Sequence, residues 1–132
     1  MRILIDTDVL LDVGLARAPH LEESVRVLRW AEAGGDAAVA WHSLTNCAYL
    51  LKGGGRPFLQ KLLRLVDVAA IAALDAHRAL ALPMSDLDDA FQASAALAWR
   101  ADAIVTRNLA DYRRSPVPAI SPSTFLSRVT EP

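Results

Sequence analysis

The stretch DLDDAFQASAALAWRADAIVTRNLADY, residues 86–112, changes its pattern once along its length. Its first half begins with acidic residues and is rich in alanine. It predicts a helix that Ser85 caps, with Asp88 at the N3 position of a capping box, and that ends near Arg100. The apolar residues that follow predict a short strand at 103–106. A long helix that leads directly into a buried strand is typical of a domain in which helices cover a sheet.

Strands and helices alternate on both sides of this stretch. Ile3–Ile5 is a short apolar run, bounded by Asp6, that suits a buried parallel strand. Ser43 is a predicted N-cap for the helix that follows the second strand. The remaining strands are predicted at 37–41, 66–71 and 118–120, and the remaining helices at 9–16, 20–33, 43–51, 57–65, 75–82 and 123–129. This alternation predicts a single α/β domain, residues 1–132, with a mainly parallel sheet.

The composition is that of a globular protein, with 53% hydrophobic and 22% charged residues among 132. The formal net charge of −1 argues against a protein that coats nucleic acid by bulk charge, but not against one that cuts it at a local site. Cys47 is the single cysteine, so no internal disulfide forms, and its apolar surroundings predict a buried thiol. No apolar run is long enough to span a bilayer, so we expect a cytoplasmic protein without a membrane partner.

Acidic and amide side chains follow two predicted strands and begin the long helix. Asp6 comes directly after the first strand, and Asn108 and Asp111 follow the strand at 103–106. Asp86 and Asp89 are three residues apart and share one face of the helix. In open parallel sheets, sites form beyond the carboxyl ends of the strands. We therefore expect these side chains to meet in one crevice.

Small residues on the long helix strengthen this expectation. Ala93 and Ala96 lie on the Asp89 face and would let the helix approach the sheet closely, which brings Asp89 near the end of the first strand. Carboxylates this close raise each other's pKa unless a cation lies between them, and oxygen ligands suit Mg²⁺ or Mn²⁺. Helix capping explains Asp88 better, whereas Asp86 is open to either interpretation.

Four segments, taken in order, resemble the PIN-domain ribonucleases, in particular the VapC-type toxins and their bacterial relatives. They are ILIDTDVLLD, HSLTNCAYLLKGGG, the stretch at 86–112 and AISPSTFL. The resemblance covers nearly the whole chain. It implies a three-layer α/β/α fold with a mainly parallel central sheet of four to five strands. It also implies a Mg²⁺- or Mn²⁺-dependent endoribonuclease with an RNA substrate, a small antitoxin partner and a homodimeric state.

The resemblance assigns roles to individual residues. Asp6 matches the family's first metal-binding aspartate and Asp89 its helix-borne one, while Asp111 or the Asn108 position matches the last acidic or polar member. Asp86 corresponds to a frequent extra carboxylate, and Thr106 to the threonine or serine beside the site. The family's second acidic residue usually lies on the helix after the second strand. Asn46 stands there in this chain.

Basic and aromatic residues give a weaker indication of nucleic-acid binding. Near the inferred crevice, a set of cations could contact phosphates, although each taken alone is more often a solvated surface residue; they are Arg107, Arg113 and Arg114, with Lys52 and Arg56 as weaker candidates. The aromatic residues fit core packing better than a stacking platform for bases; they are Trp30, Trp41, Tyr49 and Phe91.

Two other functions remain open at this point. The Asn46 replacement fits a catalytically weak PIN-like domain that binds RNA or a protein partner. Asp6-Thr7-Asp8 also fits the nucleophile signature of haloacid dehalogenase-like phosphatases, in which the first aspartate attacks phosphate. Those enzymes need a lysine beyond the middle of the core, and Lys52 and Lys61 come too early.

Overall fold

The computed structural model describes residues 1–130, so the predicted domain end at residue 132 lies outside the described residues. The strands are β1 (Arg2–Ile5), β2 (Asp36–Val39), β3 (Asp67–Val68), β4 (Ala103–Val105) and β5 (Ala119–Ile120). The α-helices are α1 (Thr7–Gly14), α2 (Leu21–Glu32), α3 (Trp41–Leu51), α4 (Gly55–Leu62), α5 (Ala73–Ala81), α6 (Leu87–Trp99) and α7 (Pro122–Thr130). All strand pairs are parallel, in the order β3-β2-β1-β4-β5. The predicted parallel sheet is confirmed.

Alternate residues of β1 enter two separate cores, one on each face of the sheet. Ile3 and Ile5 pack with residues of α1, α2, α3, α4 and α7 on one face. Leu4 packs with the alanines of α6 on the other face, and α5 packs against α6. A strand that is covered on both faces reads as a continuous apolar run, as this one does. The three-layer α/β/α architecture is therefore confirmed.

The backbone at the strand ends positions the first residues of the candidate site. The N–H of Asp6 donates to the carbonyl oxygen of Val105 at 3.0 Å, and the N–H of Thr106 donates to that of Ile120 at 3.0 Å. Because the strands are parallel, these two residues follow neighbouring strands at the same edge of the sheet. The sheet thus fixes the backbone positions of Asp6 and Thr106.

Both predicted N-caps, Ser85 and Ser43, are wrong. Asp86, not Ser85, is the N-cap of α6, and its Oδ1 accepts a 3.0 Å hydrogen bond from the N–H of Asp89. An aspartate is at least as good a cap as serine, so sequence pattern alone does not separate them. Helix α3 begins at Trp41, which leaves Ser43 inside the helix with a buried hydroxyl that bonds to Thr7.

Two of the four aromatic residues expected in the core are exposed. Trp30 packs edge-on against Phe125, with ring centroids 4.9 Å apart. Trp41 and Tyr49, however, are 61% and 81% exposed, so the prediction of core packing is wrong for both. Their helix buries the opposite face, where Cys47 packs in the core as predicted. Across residues 1–130, no helix combines the length and the apolar character that crossing a bilayer requires.

Candidate active site

A crevice of about 370 Å³ opens beyond the carboxyl ends of β1 and β4. Four carboxylates line it, Asp6 and Asp8 from the start of α1 and Asp88 and Asp89 from the first turn of α6. The rest of the lining comes from α1, α3 and the segments that follow α1 and β4: Thr7, Leu11, Arg17, Asn46, Leu50, Arg107 and Asn108. The structure thus brings the strand-end and helix-borne aspartates together, as the sequence predicted.

Asp6 is buried and held on both carboxylate oxygens. Its Oδ1 accepts a 2.7 Å hydrogen bond from the N–H of Thr7, which makes it the N-cap of α1. Its Oδ2 accepts bonds from the hydroxyls of Thr106 at 2.8 Å and Tyr112 at 3.0 Å. Burial and the nearby charge of Asp8 raise the pKa of Asp6 to about 7, although these three hydrogen bonds oppose the change. Its orientation is therefore fixed while its negative charge is destabilised.

Tyr112 connects Asp6 to Asp89 through one hydroxyl group. The hydroxyl lies 3.2 Å from Oδ1 of Asp89 and 3.0 Å from Oδ2 of Asp6, and the tyrosine is buried. Burial, with the charges of Asp86, Asp111 and Asp88, raises the pKa of Asp89 to about 6. One hydroxyl carries one proton, so it donates to one of the two carboxylates at a time.

Behind the carboxylates, three hydroxyl and amide side chains form a buried cluster. Thr7 and Ser43 hydroxyls lie 2.8 Å apart, and Nε2 of Gln92 donates to them at 3.0 and 2.6 Å respectively. Thr7 begins α1, Ser43 lies in α3 and Gln92 lies one turn after Asp89 in α6. This cluster joins the three helices that carry the crevice-lining acidic and amide residues.

A second buried network holds Asp8. Arg107 donates to the fully buried Asp12 through Nε at 2.7 Å and Nη2 at 2.9 Å, and Arg17 binds the same carboxylate. The N–H of Arg107 in turn donates to Oδ2 of Asp8 at 2.9 Å. Oδ1 of Asp8 is buried and has no hydrogen-bond partner among the described residues. Burial of Asp8 raises its pKa, and the N–H and charge of Arg107 oppose the rise.

Asn46 lies in the crevice wall. Its Nδ2 donates to Oδ2 of Asp88 at 3.1 Å, and Nε2 of His42 lies 3.4 Å from the other oxygen of that carboxylate. The face of α3 that carries His42, Asn46 and Leu50 is thus directed towards the first turn of α6. The amide that stands at the acidic position is beside the carboxylates rather than remote from them.

The remaining predicted residues lie around the crevice in three different situations. Thr106 is buried and bonds Asp6, and its Oγ1 also accepts from the N–H of Asn108 at 3.0 Å. Asp86 caps α6 and does not line the crevice. Asp111 lines a neighbouring pocket with Arg113 and Arg114, yet its charge is close enough to raise the pKa of Asp89.

A family model described as a PIN domain matches residues 2–110 of this chain. The chain belongs to the PIN-domain family. VapBC2 from Rickettsia felis, solved bound to a DNA fragment from its promoter, has a similar fold, with a TM-score of 0.72 and 17% identity over 92% of this chain and 98% of that one. FitAcB from Neisseria gonorrhoeae also has this fold, with a TM-score of 0.61 and 18% identity over 92% and 98% of the two chains. A comparison with curated protein sequences finds no match.

Among residues 1–130 of this PIN domain, no three carboxylate, imidazole or thiol groups are arranged as a ready-made metal site. The donors nevertheless fit a hard cation. The raised pKa values of Asp6 and Asp89 show that their negative charge lacks compensation, and Oδ1 of Asp8 is a buried oxygen without a partner. Mg²⁺ typically takes one or two carboxylates, with waters and substrate phosphate completing its shell. These residues would therefore hold such an ion together with its substrate.

Several residues that shape the crevice of this PIN domain were not predicted as members of the site. Tyr112 was not singled out, because a buried tyrosine in a short turn has no periodic pattern. Asp88 was interpreted as a capping residue, and the structure places it in the crevice wall instead. Asp12 was not predicted to support the site, because its partner Arg107 is 95 residues away in the sequence.

Proposed function

We propose that this protein is a Mg²⁺- or Mn²⁺-dependent endoribonuclease that hydrolyses RNA phosphodiesters and acts as the toxin of a toxin–antitoxin pair. The observation that carries the proposal is the convergence of Asp6 and Asp89 on the Tyr112 hydroxyl, inside an acidic crevice at the carboxyl edge of the sheet. Asp6, Asp89 and Asp111 are the proposed catalytic residues. Membership of the PIN-domain family favours a nuclease over a haloacid dehalogenase-like phosphatase.

In this proposal, Asp6 and Asp89 hold the metal ion. The ion, when bound, activates water and stabilises charge on the phosphate. Thr106 and Tyr112 hold Oδ2 of Asp6 and the N–H of Thr7 holds Oδ1, so these oxygen atoms do not have to reorganise during the reaction. Asn108 orients the turn after β4 through its bond to Thr106. Asp86 supports the site by fixing the start of α6 and by adding negative charge beside Asp89.

Phosphate binding is proposed for the cations that remain available. Arg107 already donates two hydrogen bonds to Asp12, so its guanidinium is committed to the fold. Arg113 and Arg114 are exposed and line a pocket with Asp111, next to the acidic crevice. We therefore propose that Arg113 and Arg114 contact the RNA phosphate nearest the cleaved bond.

A small antitoxin is the proposed partner, and a homodimer in the cytoplasm is the proposed state. VapBC2 and FitAcB, which have the same fold, are toxin–antitoxin complexes. A crevice with four carboxylates and raised pKa values for Asp6 and Asp89 attracts a cationic side chain. An arginine or lysine of the antitoxin that pairs with these carboxylates would block the site.

A catalytically weak domain that binds RNA or a partner protein is the second candidate. One observation favours it: Asn46 faces Asp88 in the crevice wall with an amide in place of a carboxylate. The site then has one negative charge fewer than a site with an acidic residue at position 46, and it should hold a cation less tightly. Such a protein would bind the same ligands while cleaving slowly.

Incubation of metal-free protein with a pool of RNA, with and without Mn²⁺, tests the proposed function. We expect cleavage only with Mn²⁺, and its loss in Asp89→Asn. Asp67→Asn is the matched control, because Asp67 is an exposed carboxylate on the edge strand β3. RNA binding without cleavage would support the second candidate, and cleavage that survives Asp89→Asn would contradict the proposed site.

A further inference from the structure

The start of α1 brings two carboxylates to the crevice, those of Asp6 and Asp8. The hydroxyl oxygen of Thr106 lies 2.8 Å from Oδ2 of Asp6 and 3.4 Å from Oδ2 of Asp8, so the two carboxylates are close neighbours. The charge of Asp8 contributes to the raised pKa of Asp6. Asp6 has a role in the proposed reaction, whereas Asp8 has none.

The negative charge of Asp8 has no partner of opposite charge. Its Oδ2 accepts a 2.9 Å hydrogen bond from the backbone N–H of Arg107, but the carboxylate forms no ion pair within residues 1–130. Its Oδ1 is buried and accepts no hydrogen bond from any described residue. A buried carboxylate oxygen without a partner is unfavourable, so the site favours a group that compensates this charge.

Asp12, one helical turn later in α1, shows that this chain can balance such a charge. Its fully buried carboxylate is bound by Arg107 and Arg17 through ion pairs of 2.7 and 3.0 Å. The guanidinium of Arg107 is thus directed to Asp12, although its backbone N–H binds Asp8. The crevice consequently retains the charge of Asp8 for a positive ligand.

Apart from Asp89, the other walls of the crevice add little charge that is shielded from water. Helix α3 contributes Asn46, a neutral amide. The carboxylate of Asp88 in α6 is half exposed and accepts a hydrogen bond from that amide at 3.1 Å. Asp8 is more buried than Asp88, and charges act more strongly on each other where less water screens them. Of these two carboxylates, Asp8 therefore has the stronger effect on a cation near Asp6.

We propose that Asp8 supplies a third negative charge to the metal site and strengthens cation binding without coordinating the ion. This inference rests on the proposed function, in which Asp6 and Asp89 hold Mg²⁺ or Mn²⁺. No three carboxylate, imidazole or thiol groups within residues 1–130 are arranged as a metal site, so Asp8 acts through its charge instead of a bond. A divalent ion beside Asp6 also favours the ionised form of Asp8.

Calorimetric titration of Mn²⁺ into the metal-free protein tests the inference. Asp8→Asn removes the charge but keeps the size of the side chain and an oxygen that can accept the N–H of Arg107. We expect its Mn²⁺ affinity to fall about tenfold or more, because a divalent ion interacts with a unit charge twice as strongly as a monovalent ion does. Asp67→Asn, at an exposed carboxylate on the edge strand β3, is the matched control and should bind Mn²⁺ like the unaltered protein.

Moving the charge to another wall of the crevice separates its effect from a structural role of Asp8. Asn46→Asp, introduced into the Asp8→Asn protein, returns one negative charge to the crevice and should restore most of the Mn²⁺ affinity. Thr45→Asp in the same background adds the charge on the exposed side of α3 and should not restore it. The metal-free Asp8→Asn protein should melt at the same temperature as the unaltered protein or higher, because repulsion from Asp6 is relieved.

Three results would overturn the inference. If Asp8→Asn binds Mn²⁺ as tightly as the unaltered protein while Asp89→Asn does not, this inference fails and the proposed function stands. If Asp8→Asn melts at a lower temperature and Asn46→Asp does not restore its Mn²⁺ affinity, Asp8 serves the fold instead. If the unaltered protein neither binds Mn²⁺ nor cleaves RNA, the inference and the proposed function both fail.

Discussion

Arg107 binds the fully buried carboxylate of Asp12 through two hydrogen bonds of 2.7 and 2.9 Å. The same residue donates its backbone N–H to Asp8 in the crevice. Asp12 does not line the crevice itself. It supports the site because it fixes Arg107, whose backbone N–H binds Asp8.

Asp12→Ala should lower the free energy of unfolding by about 3 kcal/mol or more, because it leaves Arg107 and Arg17 without their shared buried partner. Asp36→Ala is the matched comparison, since its ion pair with Arg2 is exposed and should be worth less than about 1 kcal/mol. Urea unfolding of both variants measures the difference. Similar losses in the two would contradict this account of Asp12.

Asp89→Asn should abolish most metal-dependent cleavage, because it removes one of the two charges proposed to hold the cation. In metal-free buffer the same variant should be as stable as the unaltered protein or more stable, because repulsion from Asp86 and Asp111 is relieved. Thermal melts with a chelator present measure this. A marked loss of stability would mean that the carboxylate serves the fold instead.

The metal-free protein should become less stable as the pH rises from about 4 to about 7. Asp6 has a pKa of about 7 in the folded protein, above its ordinary value, so in this range the folded state holds a proton that the unfolded state has released. Rising pH then favours unfolding. Asp6→Asn keeps a good helix cap and should reduce the dependence, to which Asp89, with a pKa of about 6, still contributes. Melting temperatures of both proteins across this pH range test the prediction. An equal slope of melting temperature against pH in the two would contradict the role of Asp6.

Asn46→Asp and Asn46→Glu should tighten Mn²⁺ binding. Each adds a negative charge beside Asp88 in the crevice wall, and attraction to a divalent ion at close range is worth several kcal/mol at an effective dielectric of about 20, before desolvation offsets it. Glutamate is the better test, because its side chain is longer and reaches further from α3. Calorimetric titration compares them with Thr45→Glu, one residue earlier on the exposed face of α3. Equal affinity for all three would mean that Asn46 does not face the cation.

An antitoxin should co-purify with the protein when the adjacent reading frame is expressed with it. The interaction should weaken in Asp6→Asn and Asp89→Asn, because an arginine or lysine in the crevice would lose its carboxylate partner. Expression of the chain alone should arrest growth. Normal growth and no bound partner would count against the toxin role while leaving the nuclease in place.

The sequence was sufficient to predict that Asp6 and Asp89 meet in one crevice, because a strand end and a helix face can both be recognised from the local pattern. It did not decide which acid of the run 86–89 faces the crevice. With Ser85 as the cap, Asp88 occupies the N3 position of a capping box, whereas with the observed cap at Asp86 the N3 residue is Asp89. Asp88 was therefore assigned to capping although it contacts Asn46.

The sequence also did not predict contacts between residues that lie far apart in the chain. The pairing of Asp12 with Arg107 and of Tyr112 with Asp6 depends on β1 and β4 being neighbours, which the order of elements does not specify. The exposure of Trp41 and Tyr49 was missed for a related reason. An apolar residue near a helix end reads as core unless the side of the helix that packs on the sheet is known.

The amide of Gln92, which lies in α6, donates to the first residue of α1 and to Ser43 in the first turn of α3. Moving one of these helices to open the crevice would break these hydrogen bonds and leave the buried amide of Gln92 without its partners. We therefore expect α1, α3 and α6 to resist movement relative to one another. Any change of shape on binding is then expected in the bound molecule, and backbone amides around Thr7, Ser43 and Gln92 should exchange with deuterium together and late.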